Sequence, residues 1–190
     1  MVKFAAVVLA GGRARRLGGV DKVLLPVSGR TLLDRTIDAV AGAGPVVVVG
    51  PRRATAEPVL WTREDPPGSG PLAGVQAGLA ALPAETALVA VLAGDHPHLT
   101  PGTLTRLRGA LRANPGAAGA VLVDRNGEPQ WLVGLWRVSS LRAAMPGEAR
   151  DRSIRSVFAR LDPVLVPAAG EEASDVDTPE DLHRARTPKG

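Results

Sequence analysis

Val7-Val8-Leu9-Ala10-Gly11-Gly12-Arg13-Ala14-Arg15-Arg16-Leu17-Gly18-Gly19-Val20-Asp21-Lys22 is the stretch on which the fold turns. An apolar run of strand length stops at paired glycines, a basic segment follows, and two further glycines precede a lysine. Glycines let main-chain N–H groups approach an anion closely and reach positive φ without a steric penalty. Arg13, Arg15, Arg16 and Lys22 bring cations to the same place, as a triphosphate requires. The pattern is neither the dinucleotide G-x-G-x-x-G nor the Walker G-x-x-x-x-G-K-[ST]. The chain has only three Lys among its 23 Lys and Arg, and Lys22 alone lies outside the first three and last two residues. A compact ammonium in an arginine-rich chain suggests a position with a specific demand. Taken alone, the loop reads equally well as a solvated basic surface loop.

The rest of the chain supplies its context. Strand-length apolar runs occur at Lys3–Leu9, Pro45–Val49, Pro58–Trp61, Ala87–Leu92, Ala118–Val123, Trp131–Trp136 and Pro163–Val166. They are rich in Val and Leu and lack two-residue alternation, as strands covered on both faces should. Helical patterns fall between them: Thr31–Ala41, with Leu32, Leu33, Thr36, Ile37 and Val40 on one stripe, then Pro71–Leu82, Pro101–Ala113, Val138–Ala144 and Ser153–Leu161. Thr100 before Pro101, and Thr178 before Pro179, Glu180 and Asp181, are helix-start signals. This alternation predicts an α/β fold, a three-layer α/β/α sandwich around a Rossmann-like, mostly parallel sheet. Ligands of such sheets sit beyond the carboxyl ends of the strands. One domain over residues 1–186 and a disordered tail at 187–190 are expected.

Composition removes other classes. With 190 residues, 45% of them hydrophobic, and a mean hydropathy of +0.07, the chain reads as a soluble globular domain. No apolar run reaches the roughly 20 residues of a membrane helix. Met1–Leu9 carries Lys3 and runs into the glycine loop, so it reads as a first strand and not as a leader. Without cysteine there is no disulfide, thiolate chemistry or Cys-ligated metal, and a cytoplasmic location is expected. The net charge of +4 invites a nucleic-acid reading. Aromatics at 3% are too few for stacking platforms, and the arginines form no single stripe, so neither nucleic acid nor membrane is expected as a partner.

Two more stretches carry chemistry. Glu64-Asp65-Pro66-Pro67-Gly68-Ser69-Gly70-Pro71-Leu72-Ala73-Gly74 is a rigid strand-to-helix connection with an acidic start, whose glycines serve either a pocket or close packing. Ala87–Gly94 is a buried strand that ends at Asp95. Were it to lie near the first strand, that carboxylate would meet the phosphate loop, where Mg²⁺ needs one or two carboxylates plus substrate phosphates. Asp95 could instead serve as a cap or turn former. His96 and His98 beside it lack a third ligand for zinc, and His98 is the better placed to touch substrate.

The glycine loop resembles the start of the molybdenum cofactor guanylyltransferases, within the nucleotidyltransferase superfamily that includes sugar-nucleotide pyrophosphorylases. The ending Gly18-Gly19-Val20-Asp21-Lys22 is more particular to that branch than the glycines, Arg16 and Lys22 that the broad superfamily needs. Asp65 with Gly70-Pro71-Leu72-Ala73-Gly74, then Asp95-His96-Pro97-His98-Leu99, and finally Asp175-Val176-Asp177-Thr178-Pro179-Glu180-Asp181-Leu182 follow in the family's order. The resemblance implies that Leu9, Ala10, Gly11 and Gly12 contact the nucleotide and that Arg16 and Lys22 hold its phosphates. It implies that Asp65 contacts the nucleoside in a pocket shaped from Gly70 onward, and that Asp95 binds Mg²⁺; Asp177, an acidic residue of this chain's own, could join it there. Asp177 or Thr178 would cap the last helix. Arg16, Lys22 and Asp95 are then the catalytic set. GTP and Mo-molybdopterin would be the substrates, with transient contact to molybdoenzymes or their chaperones.

Many guanylyltransferases carry Asn-x-Asn where this chain has Asp175-Val176-Asp177, which keeps a cytidylyltransferase of the same cofactor open, and behind it a sugar-phosphate transferase. A non-catalytic nucleotide-binding protein is the rival outside catalysis. Trp131 and Trp136, on the strand after Gly127-Glu128-Pro129-Gln130, are candidates for pterin stacking or for the core. Arg152, Ser153 and Arg155 cluster at a helix start, where cations oppose the helix dipole and an anionic acceptor would relieve the conflict.

Overall fold

The computed structural model describes residues 4–11 and 20–187. Its elements are β1 (Ala5–Leu9), β2 (Pro26–Val27), β3 (Arg30–Thr31), α1 (Leu32–Ala39), β4 (Val46–Val49), β5 (Leu60–Thr62), α2 (Pro71–Ala80), β6 (Leu88–Ala93), α3 (Pro101–Ala113), β7 (Gly119–Val123), β8 (Pro129–Arg137), α4 (Val138–Ala144), α5 (Ile154–Phe158), β9 (Val164–Pro167) and α6 (Pro179–Arg186). Seven strands form one sheet in the order β5-β4-β1-β6-β8-β7-β9, and β2 pairs with β3 in a separate hairpin. Only β8 runs against its neighbours in the large sheet. The expected α/β/α sandwich is the observed fold.

Register explains where the site must be. Leu9 lies level with Val49 on one side and Ala93 on the other, so β1, β4 and β6 end together at one edge. The first and fourth long strands of the chain are direct neighbours, as the placement of Asp95 requires. Helices cover both faces. On one, α2, α4 and α5 bury Leu72, Val75, Leu79, Leu141 and Phe158 against β1 and β6. On the other, α3 packs Leu104, Leu107 and Leu111 on Leu92, Leu122 and Leu135.

Two glycines of α2 permit its close approach to β1. A Cβ on Gly78 would fall 2.4 Å from Val7 Cγ1, and one on Gly74 would fall 3.2 Å from a methyl of Leu9. Packing is thus one use of the Gly70–Gly78 run. Trp136 is fully buried, 4.6 Å from Phe158 ring to ring at 61°, in a slot left by Gly119 and Gly134. It belongs to the core and not to a pterin.

Thr31, Thr100 and Thr178 each accept a main-chain N–H at a helix start, the last two within capping boxes. Thr178, and not Asp177, is therefore the cap of α6. The β2–β3 hairpin had no sequence warning, because its strands are two residues each and its turn rests on Ser28 at φ 49° and Gly29 at φ 81°. The pattern at Ser153–Leu161 splits into α5 and a 3-10 turn at Ala159–Leu161. Among the described residues no helix is long and apolar enough to cross a membrane.

Candidate active site

Three chain segments converge at the carboxyl edge of the sheet. Lys22 opens a 3-10 turn, Lys22–Leu24, whose Val23 is buried beside Val8 and Leu33. Asp95 follows β6, where Gly94 N–H donates to Leu9 O across to β1. The third segment precedes α6: Val176 N–H donates to Asp95 O at 3.1 Å, and the Val176 side chain is buried with Val27 and Leu32. With Val176 anchored inward, its two neighbours point the other way. One oxygen each from Asp95, Asp175 and Asp177 lie within 4.8 Å of one another. Lys22 Nζ closes the group, 2.7 Å from Asp95 Oδ2 and 2.5 Å from Asp177 Oδ1.

The electrostatics follow from this crowding. Burial pulls the Lys22 ammonium down, but Asp95 and Asp177 outweigh it and hold its pKa above 10.5, so it stays charged. Burial raises the Asp175 carboxyl, and repulsion from Asp95 and Asp177 raises it further, against weaker pulls from His96 and Lys22. Asp95 Oδ1 is buried without a hydrogen-bond partner. Such an atom is costly unless something binds it. A hard divalent ion such as Mg²⁺ takes carboxylate oxygens together with substrate phosphates, and this donor set fits one.

Struts hold the third segment in place. His96, 5% exposed, contacts Ser174 O through Nδ1 at 3.2 Å. Glu172 accepts from Thr103 Oγ1 at 2.6 Å, from Ala169 N–H at 2.9 Å and from the Arg106 guanidinium. Burial pushes the Glu172 carboxyl up, yet Arg106, Thr103 and the Ala169 N–H outweigh it and hold it below 4.5.

Beside the charged group lies a cleft of about 780 Å³ whose lining includes Leu9, Gly11, Arg53, Glu64, Gly70 and Asp95. Leu9, Gly11, Gly70 and Asp95, four of the residues expected at the nucleotide, line this one cleft. Ala10 is buried and offers its carbonyl to Arg53. Asp65 is exposed and outside that lining; its neighbour Glu64 faces the cleft and accepts the Gly68 N–H at 3.0 Å. Gly12 and Arg16 lie outside the described residues. Arg53, Glu64 and Asp175 are site residues that the sequence reading missed. Asp175 was legible as half of an i, i+2 acidic pair, whereas nothing in sequence marks Arg53.

A second cavity, about 530 Å³, shares Gly70 and Pro71 with the first and is lined by Trp131, Arg152, Ser153 and Arg155. The three residues expected to hold the acceptor thus border one cavity that adjoins the cleft. Ser153 precedes α5 without capping it through its side chain. His98 is half-buried and outside both linings.

Comparison with known proteins agrees with this architecture. Residues 6–164 match the profile of the MobA-like NTP transferase domain. A molybdenum cofactor guanylyltransferase of Acidiphilium cryptum is 40% identical over 149 residues, 73% of this chain and 69% of that protein. One from Rhodobacter capsulatus is 32% identical over 193 residues, 97% of this chain and 95% of its own length. The crystal structure of a molybdopterin-guanine dinucleotide biosynthesis protein A from Archaeoglobus fulgidus superposes with a TM-score of 0.72 at 23% identity, covering 96% of this chain and 97% of that one. At that identity the likeness speaks for the fold.

Proposed function

This chain belongs to the MobA-like NTP transferase family, and from that premise we propose that it transfers GMP from GTP to the phosphate of Mo-molybdopterin, releasing pyrophosphate and forming the guanine dinucleotide cofactor. The observation that carries the reading is the convergence of Lys22, Asp175 and Asp177 on Asp95, which lines a nucleotide-sized cleft. The names of the relatives from Acidiphilium cryptum and Rhodobacter capsulatus support guanylyl transfer in particular.

The chemistry asks little of side-chain nucleophiles. The acceptor phosphate attacks the α-phosphorus in line, and the protein contributes position and charge. Lys22, held protonated by its carboxylate neighbours, brings a fixed positive charge to the triphosphate. Arg16 is proposed to act beside it. Leu9, Ala10 and Gly11 bring the end of β1 against the nucleotide, and Gly12 is proposed to contact it from its place in the sequence. Asp95 and Asp177, with Asp175, would hold Mg²⁺, which when bound neutralises phosphate charge and orients the leaving group. For the nucleoside end we propose Asp65, which is exposed, together with Glu64, which faces the pocket. Arg152, Ser153 and Arg155 with Trp131 form the acceptor side, one cavity along. We place the reaction in the cytoplasm, with delivery to molybdoenzymes or their chaperones.

Asp175-Val176-Asp177 favours a second reading, CTP as donor to the same acceptor. Pyrophosphate release from GTP, CTP, ATP and UTP, each with Mg²⁺ and with or without Mo-molybdopterin, tests both. GTP-specific, acceptor-dependent release is expected. Release only from CTP would shift the assignment, and none from any nucleotide would refute it.

A further inference from the structure

Arg53 is left without a role by the reaction above, yet it is tightly held. Its side chain is 9% exposed although it sits on a surface loop. Nε donates to Asp21 Oδ2 at 2.5 Å, and one terminal nitrogen donates to Ala10 O and Pro51 O, each at 2.9 Å. Ala10 is the first residue beyond β1, and Asp21 immediately precedes Lys22. One guanidinium therefore joins the two stems that flank the glycine-rich, arginine-bearing stretch.

The loop that carries Arg53 is itself fixed. Gly50, at φ 149°, lies so close to the stem that follows β1 that a Cβ there would sit 2.9 Å from Ala10 C and O. At the far end, Ala56 N–H donates to Asp34 Oδ1 at 2.9 Å, on the first turn of α1. An ion pair with a carboxylate as exposed as Asp21 adds little to stability. What the arrangement secures is geometry, and only a forked, planar cation spans two acceptors in this way.

We infer that Arg53 is a positioning residue for the donor nucleotide, gripping Ala10 and Asp21 together and so fixing Lys22 relative to the end of β1. The inference rests on the nucleotidyl-transfer reading. By neutralising Asp21, Arg53 also screens a carboxylate from the neighbourhood in which a triphosphate is to be held. Its place in the cleft lining allows one competing role, direct contact with phosphate. The two roles make opposite demands on Asp21: a clamp needs it, whereas a phosphate ligand would be freed by its removal.

The test uses the full chain with Asp21→Asn, Arg53→Lys, Arg53→Met and the Asp21→Asn/Arg53→Met double variant. Binding of GTP–Mg²⁺ is read by calorimetry, and KM and kcat by pyrophosphate release. A clamp predicts that each single change raises the donor KM about tenfold and that the double variant is no worse than its worse parent. Arg53→Lys should not rescue, because one ammonium cannot bridge both stems, and the acceptor KM should stay within about twofold. Additive effects near a hundredfold, an unaffected donor KM, or a functional Arg53→Lys beside a harmless Asp21→Asn would each overturn the clamp. Those results leave the enzymatic reading intact if the parent chain binds and turns over GTP. A parent that does neither removes both. Should Arg53→Met fail to fold, Asp21→Asn against Arg53→Lys still separates clamp from phosphate ligand.

Discussion

Replacing Asp95 by Asn separates what the site does for chemistry from what it costs the fold. Asp95 Oδ2 attracts Lys22 at 2.7 Å, while Asp175 and Asp177 stand within 4.8 Å. At an effective dielectric near 20, the attraction is about 6 kcal/mol and each repulsion at least about 3.5 kcal/mol when all three carboxylates are ionised. The two repulsions together offset the attraction, so removing the charge does not destabilise the fold in this accounting. Asn also retains an oxygen for Lys22. The metal-free variant should therefore melt no lower than the parent, and up to about 4 °C higher. Turnover should fall by about a thousandfold or more, the scale of losing a metal ligand that neutralises phosphate charge. The stabilisation given by Mg²⁺ with GTP in a thermal-shift assay should vanish with it. A melting point several degrees lower, or turnover within tenfold of the parent, would show that the cluster is structural.

Three further outcomes follow from other parts of the molecule. Arg155→Ala should raise the acceptor KM and leave that for GTP near the parent value, because Arg155 borders the second cavity only; equal effects on both would count against an acceptor role. Glu172 has a folded pKa below its ordinary 4.5, so its contribution is present above pH 4.5 and is lost as pH falls through the depressed value. Urea unfolding should thus find Glu172→Gln less stable at pH 7 by about 1–3 kcal/mol, discounted because Arg106 is partly exposed, with the gap closing in acid; a constant gap would point to packing alone. Gly78→Ala would press a methyl onto Val7, 2.4 Å from Cγ1, and should cost about 1–3 kcal/mol in the same unfolding assay. Val7→Ala in that background should recover part of the loss, and an unchanged midpoint would refute the overlap.

The layers of the fold were legible because buried parallel strands and capped helices leave strong marks. Val46–Val49 can hardly be anything but a central strand, and Thr100-Pro101 and Thr178-Pro179 announce helix starts through the cap that each Thr supplies. The β2–β3 hairpin was not legible, since two-residue strands carry no periodicity. Within the site, Lys22, Asp95 and Asp177 stood out because each ends or begins an element in a recognisable motif. Glu64 did not, because neighbouring acidic residues on a turn look alike until the chain path sends one inward and leaves Asp65 in solvent. Arg53 was hidden more deeply still. Its mark is burial against a distant stem, a property of tertiary contact with no trace in composition.

That contrast bears on how such a site is built. The sheet alone delivers Asp95 and the end of β1, because register sets Leu9 level with Ala93. It cannot deliver Asp175 or Asp177, which arrive eighty residues later on an irregular segment. Their arrival depends on apolar and hydrogen-bonding anchors: Val176 in its pocket with Val27 and Leu32, Ser174 on His96, and Glu172 on Thr103 and Arg106. None of these anchors touches the cleft. A cluster of like charges persists only where surrounding structure over-determines it. The carboxylates therefore depend on residues whose own chemistry is unremarkable, and the hairpin that escaped detection supplies one wall of the pocket that seats Val176.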